Sequence, residues 1–214
     1  MVITLARALD VPLRERNELL LAAGYAPVYR ETGLDDRSMA QVRDALERML
    51  KHHEPYPAVV MNRYWDIIMT NDSAVALFGW LLGESEGEHP PNVIRLMFKK
   101  VHPFIANWDQ FGEALIQRVH REAIGGVSDR TTADLLAEVL ALPGVPPEWR
   151  TPDFAVTPLP ILPVIFSKDG IEVSYFSMVT TVGTPRDITL QEVRLESFFP
   201  ADARTERHRW TSMT

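Results

Sequence analysis

The spacing of apolar residues divides the chain into helical segments followed by strands. Apolar positions near Leu5 and Leu9 have helical spacing, the run breaks at Asp10–Pro12, and a second helix is predicted over 13–23, ending before Gly24. These short helices have too little apolar surface to fold alone. We therefore expect them to be the end of a larger helical module.

A longer amphipathic helix is predicted from Ser38 to His52, where it links two modules. Its apolar side chains recur at intervals suited to one helix face, namely Met39, Val42, Leu46, Met49 and Leu50. A β-hairpin is predicted next, because residues 57–61 and 64–69 are rich in β-branched and aromatic side chains and are separated by a break at Asn62.

Further helices are predicted after this hairpin. Asn71 and Asn92 each precede an apolar helical run, and the side chain of Asn favours the N-cap because its oxygen accepts a free backbone N–H. A longer helix with Trp108 and Phe111 on one face should end at Gly125, and another should begin at Ser128 or Asp129.

The residue pattern in the last third of the chain predicts strands. The proline-rich segment 143–163 favours a rigid connection, and Asp169-Gly170 between apolar runs is a strong hairpin signal. Residues 193–199 alternate apolar and charged side chains, which predicts a strand with one solvent-facing side. The fold class predicted is therefore α+β, with an antiparallel sheet of two strands before the helices and three after them.

Composition restricts the classes of function. With 214 residues, of which 46% are hydrophobic, the chain can bury one good core. The absence of cysteine excludes disulfides, thiolate metal sites and a cysteine nucleophile. No run reaches the roughly 18 to 20 apolar residues that span a bilayer and no export signal is evident, so we expect no membrane partner and a cytoplasmic location.

Charge and histidine spacing argue against two further kinds of site. The net charge of −7 disfavours direct nucleic-acid binding, because phosphates attract clustered Lys and Arg. Adjacent histidines such as His52 and His53 point about 100° apart on a helix and rarely share a metal ion. We therefore predict no metal site and no catalytic residues.

The first helices resemble part of a known DNA-binding module. Residues 5–16 and 20–27 are similar to the last two helices of a Cro/repressor-type helix-turn-helix domain of the XRE family. The helices that would read DNA are not in the chain. The resemblance implies that DNA is a partner only through that missing portion.

The remainder resembles a sensor domain. Residues 56–74, and the order of hairpin, helices and three strands, are similar to a PAS-like domain, in which a five-stranded antiparallel sheet is covered by helices. Residues 92–98, 107–109 and 183–190 look like the ligand-binding domain of MmyB-like transcription regulators, and this resemblance covers 35–205. It implies a bacterial one-component regulator whose PAS-like half holds a small apolar ligand, fatty acids being the suggested class, with no other cofactor.

The corresponding domain boundaries follow from these resemblances. We expect helix-turn-helix remnant helices in 1–29, a linking helix in 30–56, a PAS-like ligand-binding domain in 57–205 and a tail in 206–214. A ligand that binds one conformation of the protein better than another would shift the equilibrium toward that conformation. The linking helix would carry the change to the DNA-binding half. Repressor-type operators are usually pseudo-palindromic, so we expect a homodimer with this helix at the interface.

Aromatic and methionine side chains mark the candidate ligand site. Methionines suit adaptable apolar pockets, and a curved sheet covered by helices can leave a cavity, although the same residues could form an ordinary core. Arg95 could pair with a ligand carboxylate or remain solvated. The predicted apolar contacts are Trp65, Ile67, Met69, Phe78, Met97, Phe98, Trp108, Phe111, Phe176 and Met178.

Two alternative functions remain open at this point. The chain could be a small-ligand enzyme on a cone-shaped α+β fold, with Asp66, His102 and His120 as candidate acid/base groups. It could also be a dimerisation module with a filled core. A polar cavity where His and Asp converge would favour the enzyme, and the lack of any cavity would favour the dimerisation module.

Overall fold

The computed structural model describes residues 1–83, 91–125, 130–151, 161–208 and 210. Its first elements are helices α1 (Val2–Ala8), α2 (Leu13–Ala22) and α3 (Ala40–His52). Gly24 follows α2 with a φ of +80°, which favours glycine, so the predicted end of this helix is confirmed. A 3₁₀ turn over Arg37–Met39 leads into α3.

Five strands within the described residues form one antiparallel sheet, in the order β2-β1-β5-β4-β3. The strands are β1 (Ala58–Met61), β2 (Ile67–Thr70), β3 (Val164–Lys168), β4 (Ile171–Thr181) and β5 (Arg194–Pro200). Two strands precede the helical region and three follow it. The predicted α+β class and PAS-like sheet are therefore confirmed.

Both predicted hairpins form, with one difference in length. Asp169 and Gly170 connect β3 to β4 with φ of +50° and +76°, as a two-residue hairpin turn requires. The second strand of the first hairpin starts only at Ile67, because Trp65 has a φ of +71°, outside the range of an extended strand.

The helices that lie between β2 and β3 in the sequence cover one face of the sheet. They are α4 (Asp72–Leu82), α5 (Val93–Leu96), α6 (Trp108–Gly125) and α7 (Thr131–Leu140), joined by a π-helical turn (Met97–Val101) and 3₁₀ turns (His102–Phe104 and Pro147–Arg150). The short helices α8 (Ile188–Glu192) and α9 (Ala203–Arg207) flank β5. Both predicted caps are confirmed, because Asn71 Oδ1 accepts from the Ala74 N–H and Asn92 Oδ1 from that of Arg95.

Some sequence predictions fall on residues outside those ranges. The predicted helix start at Ser128 or Asp129 and residues 152–160 of the predicted proline-rich connection lie outside the described residues, as does most of the predicted tail.

The sheet is covered on both faces, and this overturns one prediction. The main core lies between one face and α4 to α7, and a smaller cluster joins Leu46 and Leu50 of α3 to the other face. On β5 the charged residues face the larger core: Glu196 is only 8% exposed, and Arg194 pairs with Glu122 of α6. The predicted solvent-facing side of β5 is wrong, because alternation separates two faces without telling which is covered.

Candidate functional site

A pocket of about 150 Å³ lies between the helices and the larger-core face of the sheet. Its walls come from strands β1, β3, β4 and β5, from the loop before β2, and from α4, α5 and α6. Four of its lining residues belong to the predicted ligand contacts: Trp65, Phe78, Met97 and Phe111. Further apolar lining comes from Val59, Met61, Leu115, Val164, Tyr175 and Phe198.

Two charged side chains and a serine form a polar end to this pocket. Ser177 Oγ donates to Glu196 Oε1 at 2.5 Å, and Arg118 Nη1 lies 3.5 Å from Glu196 Oε2. Arg118 retains 28% side-chain exposure and Glu196 about 10%. The arrangement is that of an amphipathic site, with an apolar interior and charge at one end.

Trp65 lies at the centre of the charged end. Its ring is 4.5 Å from the Arg118 guanidinium carbon and 4.3 Å from that of Arg194, distances suited to cation–π contact. Arg194 also donates to both oxygens of Glu122, at 2.7 and 3.1 Å. Trp65 is 1% exposed, and its indole Nε1–H has no hydrogen-bond partner among the described residues.

The left-handed backbone of Trp65 is held by two asparagines. Asn62 Oδ1 accepts from the N–H groups of Tyr64 and Asp66, at 2.8 and 3.0 Å. Asn92 Nδ2 donates to the Tyr64 carbonyl at 2.7 Å and to Asp66 Oδ1 at 2.8 Å. Because both asparagines cross-brace the loop, residues 62–66 form one hydrogen-bonded unit that holds the indole against the pocket.

Several predicted contacts lie elsewhere in the fold. Phe98 and Trp108 pack edge to face in the larger core, with ring centroids 4.8 Å apart, and Ile67 is buried in β2. Met69 packs with the smaller cluster under α3. These residues are not part of the described pocket lining.

The remaining predicted contacts lie on other surfaces. Phe176 stacks on Phe199 at 5.7 Å, and Met178 is 58% exposed. Since Met178 follows Ser177, which lines the pocket, alternation along β4 directs it to the opposite face.

Arg95 is held by an ion pair away from the pocket lining. Its Nε donates to Glu138 at 2.9 Å, and Lys99 Nζ donates to the same carboxylate at 2.5 Å. Hydrogen bonds from Lys99 first, and then from Arg95, lower the pKa of Glu138 below its ordinary value. The interaction therefore ties α5 and the π-helical turn to α7.

The candidate acid/base groups do not converge. The Asp66 carboxylate accepts hydrogen bonds from Asn62 Nδ2 and Asn92 Nδ2, and His120 Nε2 lies 3.0 Å from the Trp149 carbonyl oxygen. His102 lies beside Trp108, and its Nδ1 is buried without a partner in the part of the chain that is described. None of these three groups is among the described residues that line the pocket.

The sequence prediction missed three polar lining residues whose positions follow the same periodicities. Arg118 comes seven residues after Phe111 on α6, which places both on one helix face. Ser177 and Glu196 each lie two residues from an aromatic lining residue on their strand. Their polarity excluded them from a search for an apolar site.

The described ranges contain neither a metal-binding cluster nor a membrane-spanning helix. Among those residues, no group of His, Cys, Asp and Glu is arranged to hold a metal ion. No helix described here combines the length and apolar character needed to cross a bilayer.

Comparison with known proteins identifies a family for most of the chain. A family model described as the MmyB-like transcription regulator ligand binding domain matches residues 42–210. No curated protein matches the chain. The matched range runs from α3 through the sheet and helices to the residues after α9, so it includes every described residue of the pocket.

Proposed function

The chain belongs to the MmyB-like transcription regulator ligand-binding domain family, and on that premise we propose that its pocket is the sensor site for a small amphipathic acid with an acyl chain. The observation that carries the proposal is the pocket itself, which is apolar inside and has Arg118 at its polar end. The ligand would act by binding one arrangement of the protein better than another.

The size of the pocket favours a short or medium chain. An engineered apolar cavity of about 150 Å³ in another protein binds benzene, and the volume here is comparable. Each methylene removed from water contributes about 0.8 kcal/mol, so a few enclosed carbons supply a substantial part of the affinity. By comparison with that cavity, about six carbons would be enclosed, so a chain of roughly eight to ten carbons would place its methyl end inside and extend its head group toward solvent.

Arg118 is the group best placed to contact a carboxylate. Its distances of 3.5 Å to Glu196 and 3.6 Å to Glu122 are longer than the roughly 2.7–2.9 Å of a charge-assisted hydrogen bond. A ligand carboxylate could therefore approach its N–H groups more closely than either glutamate does. This assigns to Arg118 the role that the sequence suggested for Arg95.

The proposal is tested by extraction and by titration. Protein purified without refolding should release a stoichiometric acyl-chain acid on denaturation, detected by mass spectrometry. Protein stripped of ligand should bind decanoate in calorimetric titrations, and more tightly than 1-decanol, because only the acid provides a carboxylate. No extracted lipid together with no decanoate binding would contradict the proposal.

We also propose a homodimer, with α3 contributing to the interface. This proposal is supported by the symmetry of operators: a regulator that binds a pseudo-palindromic operator needs two-fold symmetry itself. The described structure has Leu46 and Leu50 packed against their own sheet, whereas Met49 on α3 is 40% exposed. The exposed side of α3 around Met49 is therefore the part of the helix available to a second copy.

A further inference from the structure

The carboxylate of Glu192 connects the first helices to the loop that carries Trp65. We propose that occupancy of the pocket controls how firmly α1 and α2 dock on the sheet domain, through the hydrogen-bonded series Arg63–Glu192–Arg14. The inference rests on the proposed function, in that a ligand enters the pocket. It adds a route of regulation that is separate from the linking helix α3.

Glu192 is held between two guanidinium groups. Its Oε1 accepts from Arg14 Nε and from Arg63 Nη1, each at 2.8 Å, and its Oε2 accepts from Arg14 Nη2 at 2.9 Å. Side-chain exposure is only 16–18% for all three residues. Partly buried bidentate pairs of this kind are stronger and more directional than exposed ion pairs.

Helix α2 meets the sheet domain at α8. Besides the Arg14 pair, the Leu13 N–H donates to Gln191 Oε1 at 2.6 Å. The segment after α2 is also attached there, because the Ile188 N–H donates to the Arg30 carbonyl at 2.8 Å and Thr32 Oγ1 donates to Asp187 at 2.7 Å. The orientation of Glu192, at the end of α8, therefore affects how α2 is held.

The other end of the series reaches the pocket. Arg63 belongs to the cross-braced loop 62–66, so it moves together with Trp65, which lines the pocket. Arg194, stacked on the Trp65 ring, donates from Nη2 to the Arg63 carbonyl at 3.3 Å. A change in the position or freedom of the indole is thus transmitted to the guanidinium that holds Glu192.

Pocket occupancy should strengthen the docking of α2, because a bound ligand restricts the motion of the loop that carries Trp65. A ligand packed on Trp65 reduces the freedom of the loop and keeps Arg63 directed at Glu192. The carboxylate then remains oriented for the bidentate contact with Arg14. Binding that restricts one end of a connected network favours order at the other end, so pocket occupancy should protect α2.

The test is hydrogen exchange of peptides covering residues 2–22 in the full chain. Saturating decanoate should slow their exchange about fivefold, the lower end of common coupling factors, and Glu192→Gln should abolish this response. By thermodynamic reciprocity, complete undocking of α1 and α2 should weaken decanoate binding by the same factor, so Glu192→Gln should weaken it by up to about fivefold. Glu138→Gln, which breaks an ion pair outside the series, is the matched control and should preserve the response.

A second arm separates this inference from the proposed ligand. Leu115→Trp, or Val93→Phe if the first variant does not fold, fills the pocket from its lining without any added molecule. Either variant should slow exchange in residues 2–22 when Glu192 is present and not in the Glu192→Gln background. If decanoate binds and exchange is unchanged, the coupling is refuted while the ligand proposal stands. If decanoate does not bind but the filled pocket slows exchange, the coupling stands. If decanoate does not bind and the filled pocket leaves exchange unchanged, the coupling is refuted.

Discussion

At the scale of single residues, Asn92 has two roles. Its Oδ1 caps α5, as the sequence predicted, and its Nδ2 donates to the Tyr64 carbonyl and to Asp66. The side chain is 4% exposed, so these groups have little access to water as a replacement. The capping residue of one helix therefore also fixes the loop that presents Trp65.

We expect Asn92→Ala to destabilise the protein by roughly 2–4 kcal/mol, from the lost cap and from the buried acceptors left without a donor. Urea unfolding measures the change. The control is Asp36→Ala, which removes an exposed cap of the turn before α3 and should cost no more than about 1 kcal/mol. Equal effects of the two substitutions would contradict a role for Asn92 beyond capping.

Arg118 provides the residue-scale test of head-group recognition. Arg118→Gln should weaken decanoate binding about tenfold, since loss of a charge-assisted hydrogen bond costs about 1.5–3 kcal/mol and Gln recovers part of it. Binding of 1-decanol should change less than about twofold, because the apolar lining is retained.

Arg95→Gln is the matched control for this titration. Arg95 pairs with Glu138 and is not part of the described lining, so its loss should leave decanoate affinity nearly unchanged. A larger effect of Arg95→Gln than of Arg118→Gln would contradict the assignment to Arg118. It would indicate that Arg95 binds the ligand carboxylate, as the sequence suggested.

At the scale of secondary-structure elements, α3 acts as the cover of the second sheet face. Leu46 is 7% and Leu50 3% exposed, and both pack with Ala58, Val60 and Leu195. The apolar spacing predicted the helix correctly. It could not distinguish packing on the chain's own sheet from packing on a partner, because both need the same apolar stripe.

Leu46→Ala should destabilise the protein by about 2–5 kcal/mol, as expected for truncating a buried leucine. Gln41→Ala, at an exposed position of the same helix about two turns before Met49, should change the stability by no more than about 0.5 kcal/mol. Thermal unfolding of the two variants at the same protein concentration gives the comparison. A small effect at Leu46 would show that α3 does not depend on this sheet face.

At the scale of the whole molecule, the sheet lies between two different covers. Helices α4 to α7 cover one face, with the pocket beneath α4 to α6, and α3 covers part of the other, where Met178 of β4 remains exposed. The proposed ligand site and the proposed dimer contact at Met49 of α3 therefore lie on opposite sides of the sheet. Substitutions on one surface should leave the other function intact.

We expect a dimer at micromolar concentration by light scattering, and a monomer after Met49→Glu, because a charge would be placed in the proposed apolar contact. Decanoate affinity of this variant should match that of the original protein, since Met49 is not part of the pocket lining. Met49→Leu is the control and should remain dimeric. A monomeric original protein, or a dimer unaffected by Met49→Glu, would contradict the proposal.

The sequence by itself determined the features that depend on near neighbours. The helix caps at Asn71 and Asn92 and the Asp169-Gly170 turn each involve groups a few residues apart, so composition and spacing suffice to predict them. The order of two strands, a helical region and three strands likewise followed from local periodicity. The resemblance to a PAS-like domain then implied that helices cover this sheet.

Only the tertiary structure decided which groups meet at the site. Arg95 and Arg118 are both helix-face arginines near apolar residues. Arg118 is on the face of α6 that packs over the pocket, whereas Arg95 on α5 pairs with Glu138. Glu196 was expected in solvent and instead faces the helices. The physical reason is that periodicity assigns side chains to a face, while the choice of what covers that face depends on elements distant in sequence.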